Sequence, residues 1–362
     1  MKKTLLLTHE YYPYKGGVAR YVYNLFKYFD QQEYLVVTDN KYVSSDKNII
    51  ITRLTYPFIK PSWLLAFLKI KLIIKKYKIE QIFTPNILPL GSMAYFLKIP
   101  YVISLHGLDI NLALKNKPKL TAKILLRAKK IIVNSLQTKN SLKDLNIADE
   151  KIILIYPTIE AINNCEGRKL SAFKNKLGIV SSDKVLLTVG RLTKRKGQDL
   201  VIKAINYIKD DFFLKYFIIG RGENKLYLEK LIKEKKLSGR VFIYDNIDDE
   251  ELAYFYKLAD IFLMPSVYNE VDIEGFGIVF LEAAANHLPI IAGTGGGISE
   301  VFSSPNEILL VKNGDLRELI RHIRELLNKP DFADKLANRA FKKYSEFNNN
   351  IANSHKLKEI LN

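Results

Sequence analysis

The chain carries a single cysteine, Cys165, among its 362 residues. That scarcity excludes an internal disulfide framework and any cysteine-rich metal site, and it fits a reducing compartment. Long apolar runs are also missing. Lys69, Lys71 and Lys75 interrupt one hydrophobic stretch, and Glu282 and His287 interrupt another, so no window reaches the roughly 18 apolar residues that a membrane-spanning helix needs. The opening Met-Lys-Lys and the run Thr4 to Thr8 imitate a secretion signal, but His9 and Glu10 end the run with no small-residue cleavage site after it. The segment therefore reads as a first strand. Arginine is rare in residues 1–160, at Arg20, Arg53 and Arg127 only, which removes the guanidinium forks that read base edges. No nucleic-acid motif stands in for them, and no nucleic-acid partner is expected. There is no nucleophile elbow and no Walker loop, and Gly220-Arg221-Gly222 lacks the third glycine of a dinucleotide fingerprint. No Asp-x-Asp pair ends a strand of the first half, and Asp272-Ile273-Glu274 only imitates one. A metal-free mechanism without cofactor is the more economical expectation.

What is present points to a folded chain, with 48% hydrophobic and 26% charged residues. Its length exceeds what one core usually serves, so two domains are expected. The net charge of +18 is uneven: residues 1–160 hold 25 Lys/Arg against 11 Asp/Glu, a net of +14. A basic half of this kind suits an anionic membrane surface or nucleic acid, or reflects nothing more than lysine-rich composition.

Short runs of Ile and Val alternate with longer helical periodicities, the pattern of parallel α/β units covered on both faces. Strands are predicted near 4–9, 33–39, 48–54, 80–84, 101–106, 130–134 and 151–155, and again near 185–189, 216–219, 241–244, 260–264, 289–292 and 308–311. The fold class expected is α/β with two facing doubly wound, Rossmann-like domains and a cleft between them, since such sheets bind ligands at the carboxyl ends of their strands. The domains are placed at 1–160 and 171–345, with a linker at 161–170. A last helical segment lies in 346–362 and could cross back to the first domain.

Glycines punctuate the expected strand ends at Gly16-Gly17, His106-Gly107, Gly190-Arg191 and Gly220-Arg221-Gly222. They serve either a shared site or tight turns alone. The segment Gly190 to Gly197 sets Arg191 at a strand end and Lys196 before a helix, two cations beside a helix N-terminus that suit a diphosphate and its departing charge. The run Glu274-Gly275-Phe276-Gly277-Ile278-Val279-Phe280-Leu281-Glu282 places two carboxylates around a glycine-flanked aromatic at a helix start. Carboxylates accept hydrogen bonds from sugar hydroxyls, while glycine lets backbone amides approach a ligand. The plain alternative is a loop glycine before a buried helix, with Glu282 facing solvent. Of the five histidines, His9 and His106 end strands of the first half. His106, with Asp109 close by, is the preferred candidate for a sugar hydroxyl or a shared proton.

Together, Gly16-Gly17, His106-Gly107-x-Asp109, Gly190-Arg191, Lys196-Gly197, Gly220-x-Gly222, Pro265-Ser266, Glu274 to Glu282 and Gly296-Gly297-x-x-Glu300 resemble the family 4 retaining glycosyltransferases of the GT-B fold, over about residues 5–345. The 272–282 run is particularly similar to the bacterial phosphatidylinositol mannosyltransferase branch. The resemblance implies a nucleotide-diphosphate-sugar donor, GDP- or UDP-linked. Glu282 would hold its ribose and Glu274 its sugar, with Gly275, Phe276, Gly277 and Val279 at sugar and phosphate. Gly190, Arg191 and Lys196 would grip the diphosphate with Gly17, His106 would lie near the sugar C6 hydroxyl, and Gly16 and Asp109 would sit on the acceptor side. His106, Glu274, Arg191 and Lys196 would then be the catalytic set, with transfer of a hexose and retention of configuration.

Two positions depart from the family pattern: Tyr156-Pro157-Thr158 replaces the usual Asn-Gly, and Asp245 replaces a glycine. On the acceptor side, 60–78 and 115–130 are basic and apolar. They are either membrane-binding segments or core helices with lysines on their wet faces. The expectation is a cytoplasmic enzyme, peripheral on the inner face of a bacterial membrane, acting on a lipid-linked or envelope-glycan acceptor such as lipopolysaccharide or capsule. A nucleotide-sugar epimerase, a phosphorylase and a non-catalytic sugar-binding subunit are the alternatives.

Overall fold

The computed structural model describes residues 2–14, 16–39, 48–159, 167–267, 276–295 and 297–362. A strand forms at each of the thirteen expected segments, with ends shifted by a few residues. In the first half these are β1 (Thr4–Thr8), β2 (Tyr34–Thr38), β3 (Ile49–Ile51), β4 (Gln81–Thr84), β5 (Tyr101–Leu105), β6 (Lys130–Val133) and β7 (Ile152–Leu154). In the second they are β8 (Lys184–Val189), β9 (Leu214–Ile219), β10 (Val241–Tyr244), β11 (Ile261–Met264), β12 (Ile290–Gly293) and β13 (Leu309–Val311).

All pairs are parallel. The sheets run β3-β2-β1-β4-β5-β6-β7 and β10-β9-β8-β11-β12-β13, so strand order reverses at β1/β4 and at β8/β11. Helices cover both faces, and β1, β2, β4, β5 and β11 are buried at every residue. Burial on two faces is why these strands read as continuous apolar runs instead of alternating ones.

The chain divides into two compact units. One comprises Met1–Ile159, Ile273–Phe276 and Asn349–Asn362, the other Glu160–Asp272 and Gly277–Asn348. Of the expected linker, 161–166 lie outside the described residues, and 167–170 already form the first turn of the helix Gly167–Lys176. The last helix, Asn350–Leu361, packs on the helix Gly17–Phe26 of the first unit. Leu357 and Leu361 are fully buried, Asn353 Nδ2 donates to the Tyr156 carbonyl at 2.8 Å, and Lys358 Nζ lies 2.8 Å from Glu33.

Candidate functional site

In the second unit the residues singled out gather at the carboxyl edge of the sheet, around the β8/β11 reversal where doubly wound sheets take their ligands. Gly190 and Arg191 follow β8, and Lys196 precedes the helix Gln198–Ile208. Arg191 is exposed, whereas Lys196 is only 6% exposed. The Lys196 side chain folds back so that its Nζ lies 4.0 Å from where a Cβ on Gly190 would stand. The ammonium is thus held against the end of β8. The N-terminus of the following helix adds partial positive charge to the same place.

Two glycines here are demanded by close backbone approach. Gly197 has φ 72°, and a Cβ would lie 2.3 Å from the Pro265 carbonyl oxygen. On Gly220 it would lie 1.9 Å from the Gly190 carbonyl oxygen. The loops after β8, β9 and β11 therefore interlock, so tight turns and one shared site are not competing explanations.

The helix Ile278–Ala285 begins after Gly277, at φ 83°, with no side-chain cap and no acidic residue in its first turn. Val279 lies in that turn and is partly exposed. Glu282 does not face solvent: it is 6% exposed and accepts a 2.7 Å hydrogen bond from the Tyr256 hydroxyl. Phe276 is buried, its ring 5.7 Å from that of Tyr156. Glu274, Gly275 and Gly296 lie outside the described residues.

Four further groups at this edge carry buried polar atoms without a partner: Thr193 Oγ1, Gln198 Oε1, Asn224 Nδ2 and Ser266 Oγ. Gln198 spends its amide nitrogen on the Arg191 carbonyl at 3.0 Å. Unsatisfied buried polar atoms are rare and costly, and their clustering at one strand edge marks a surface shaped for a polar ligand. Ser266 belonged to the Pro265-Ser266 motif and Thr193 to the Gly190–Gly197 segment, but neither side chain was singled out in the sequence. Gln198 and Asn224 lie outside those motifs, and the four come together through the loop packing.

Asp245, the second departure, forms an ion pair with Lys225 at 2.6 Å that holds its carboxyl below the usual range. Arg221 joins them, donating to the Asp245 carbonyl and, at 2.9 Å, to Asn246 Oδ1.

The first unit holds the other named residues. Gly16 caps the helix Gly17–Phe26, and Gly17 is exposed at its first turn. His106 follows β5; its ring meets Tyr21 edge-on at 5.3 Å, and its Nε2 lies 3.3 Å from Ser104 Oγ. Burial pushes His106 down to about 4, so the ring is neutral near pH 7 and suits hydrogen bonding to a hydroxyl. Asp109 Oδ1 accepts the His106 backbone N–H at 2.9 Å, while Oδ2 is buried without a partner. Burial raises its carboxyl to about 6. The departing segment Tyr156-Pro157-Thr158 is pinned through backbone carbonyls: Asn24 Nδ2 donates to Thr158 at 2.7 Å and Asn353 Nδ2 to Tyr156 at 2.8 Å, while the Tyr21 hydroxyl holds the preceding Ile155 carbonyl at 2.9 Å.

Comparison with known proteins gives two family matches: Glycosyltransferase Family 4 over residues 15–161 and Glycosyl transferases group 1 over residues 171–343. An uncharacterised glycosyltransferase of Methanocaldococcus jannaschii is 29% identical over 343 residues, covering 92% of this chain and 90% of that protein. A GDP-mannose-dependent monoacylated alpha-(1-6)-phosphatidylinositol monomannoside mannosyltransferase of Corynebacterium glutamicum is 35% identical over 165 residues, covering 44% of this chain and 42% of that protein. Among solved structures, an Anabaena protein in complex with UDP and glucose superposes with a TM-score of 0.83 at 20% identity, over 100% of this chain and 99% of that one. With two parallel-sheet Rossmann-like units, matching solved structures and a family match on each half, the chain belongs to the group 1, family 4 glycosyltransferases of the GT-B fold.

Proposed function

We propose that the protein transfers a hexose from a nucleotide-diphosphate sugar to a lipid-linked or envelope-glycan acceptor, with retention of configuration and without a metal ion. The observation that carries the reading is the buried Lys196 beside Arg191 at the end of β8, on the same sheet edge as four unpartnered polar atoms. In this reading Arg191, Lys196 and the helix N-terminus after Gly197 stabilise the departing diphosphate, work otherwise given to a divalent cation. Glu282, oriented by Tyr256, accepts from the ribose hydroxyls. Glu274 takes the sugar, neutral His106 hydrogen-bonds the sugar, and Gly16, Gly17 and Asp109 serve phosphate and acceptor. The departing phosphate draws the proton from the attacking acceptor hydroxyl. GDP-mannose, named for the Corynebacterium relative, and UDP-glucose are the donors to try first.

Calorimetric titration with GDP and UDP tests the donor half. Glu282→Ala and Lys196→Ala should each weaken the preferred nucleotide by roughly tenfold or more, the cost of one lost charge-assisted hydrogen bond. Unchanged affinity for both nucleotides in both variants would remove the site. NMR of the first-formed product then reads the anomeric configuration, and inversion would remove the retaining mechanism.

The acceptor half is supported by the surface of the first unit. The helix Leu64–Tyr77 sets Ala66 and Ile70 in the core, with Phe67, Ile73, Ile74 and Tyr77 partly buried against it, and leaves Leu64, Leu65, Leu68 and Leu72 exposed among Lys69, Lys71, Lys75 and Lys76. The helix Pro118–Arg127 buries Thr121, Ile124 and Leu125 and leaves a single leucine, Leu126, exposed beside its lysines. Among the described residues no helix is long and apolar enough to cross a membrane. Apolar side chains between lysines suit contact with an anionic leaflet, each lysine adding about 1 kcal/mol near the surface.

A further inference from the structure

A second polar cluster stands at the carboxyl edge of the first sheet. Thr8 and Thr38 are the last paired residues of β1 and β2, so His9 and Asp39 leave the sheet side by side. The Nδ1 of His9 lies 3.1 Å from each Asp39 carboxylate oxygen. The His9 backbone is held from both flanks: its N–H donates to Asn86 Oδ1 at 3.3 Å, beyond β4, and its carbonyl accepts from Thr38 Oγ1 at 3.4 Å. Asn86 is itself anchored, its carbonyl accepting the Gly91 N–H at 2.9 Å.

This pinning fixes the imidazole at the β1/β4 reversal, the place in a parallel sheet where ligands bind. A carboxylate on Nδ1 selects the tautomer protonated there and leaves the Nε2 lone pair as an acceptor. Among the described residues no group bonds Nε2, and His9 and Asp39 are each 26% exposed, so the nitrogen can be reached. Three residues on, Tyr12 stacks on Tyr23 at 4.6 Å and 28°, with Tyr12 37% exposed. A fixed acceptor and a partly exposed aromatic ring three residues along the same loop match a sugar, which presents hydroxyls at its edge and C–H groups on its faces.

We propose that the His9–Asp39 pair is an acceptor-binding device: Nε2 of His9 accepts a hydrogen bond from a hydroxyl of a glycoside acceptor, and the Tyr12–Tyr23 stack flanks its ring. This rests on the reading of the chain as a nucleotide-sugar-dependent transferase, and it names a sugar hydroxyl as the group that the first unit recognises.

The test uses the full chain with GDP-mannose and UDP-glucose as donors and octyl α-mannoside and octyl β-glucoside as acceptors. His9→Ala and Asp39→Asn should raise the acceptor KM roughly tenfold, with His9→Gln intermediate, while donor KM and calorimetric affinity for GDP or UDP stay as in the parent. An unchanged acceptor KM, or a donor affinity that falls alongside it, would overturn the proposal and leave the pair a surface ion link. A parent protein that binds nucleotide but transfers to neither octyl glycoside would overturn the glycoside site and leave the donor reading standing. A parent that binds neither nucleotide would remove the reading beneath both.

Discussion

His106 and Asp109 sit three residues apart and are displaced by burial in ways that oppose each other. The His106 ring, at about 4 in the folded chain against 6.5 ordinarily, is protonated first in the unfolded chain. It therefore subtracts stability as pH falls from about 6.5 to about 4. The Asp109 carboxyl, at about 6 against 3.8, keeps its proton in the folded chain where the unfolded chain has lost it. It subtracts stability as pH rises from about 4 to about 6. Between those values the two slopes offset each other. Asp109→Asn should leave a chain whose stability rises with pH across that window, and His106→Asn one whose stability falls. Urea midpoints at pH 4.5, 5.5 and 6.5 read this directly, and parallel slopes in the two variants would contradict the burial assigned to the pair. Single residues also show the limit of sequence reading. Arg191 and Lys196 were noticeable in the sequence as cations flanking glycines between a strand and a helix, and Glu282 as the end of a glycine-containing run at a helix start. Thr193, Gln198 and Asn224 were not, because a buried polar atom without a partner has no sequence signature.

Among the elements, the central strands were legible because burial on two faces forces an unbroken apolar run, a pattern that needs no knowledge of neighbours, while the partly buried outer strands β3, β7 and β10 were legible from their Ile and Val content. The last helix was legible as a helix, but its periodicity could not say what it packs on. Its partners come from distant positions: Lys129 Nζ donates to the Ile360 carbonyl at 3.1 Å, Asn350 Nδ2 to Ile159 at 3.1 Å and Lys356 Nζ to Leu154 at 3.0 Å. Leu357 is fully buried there. Leu357→Ala should cost about 2–4 kcal/mol of unfolding free energy, the range for removing a buried leucine side chain. Urea unfolding followed by fluorescence checks it, and a loss below about 1 kcal/mol would mean that the helix adds little to the first unit. The helix Leu64–Tyr77 shows the reverse. Its sequence allowed a core helix or a surface-binding one; the structure packs one face on the core through Ala66 and Ile70 and leaves four leucines exposed on the other.

For the molecule as a whole, charge and apolar exposure coincide: residues 1–160 carry +14 of the net +18, and Leu72, 70% exposed, lies within that half. Pelleting with phosphatidylglycerol vesicles should be strong at low salt and should fall as ionic strength rises, since screening shortens the reach of each lysine. Leu68→Glu with Leu72→Glu should weaken pelleting at every salt concentration, because the change removes apolar contact and adds repulsion. Equal pelleting of parent and variant would take this helix out of the interaction.

The sequence by itself determined the α/β class, the order of the strands along the chain and the glycine-marked strand ends. Each is a local pattern of side-chain type and spacing. Only the tertiary structure decided that Glu282 is buried against Tyr256, that the last helix belongs to the first unit, and that His9 and Asp39 stand paired at a sheet edge. The reason is physical. Strand register and loop packing bring together residues that no local period relates, and a side chain's role depends on what meets it there.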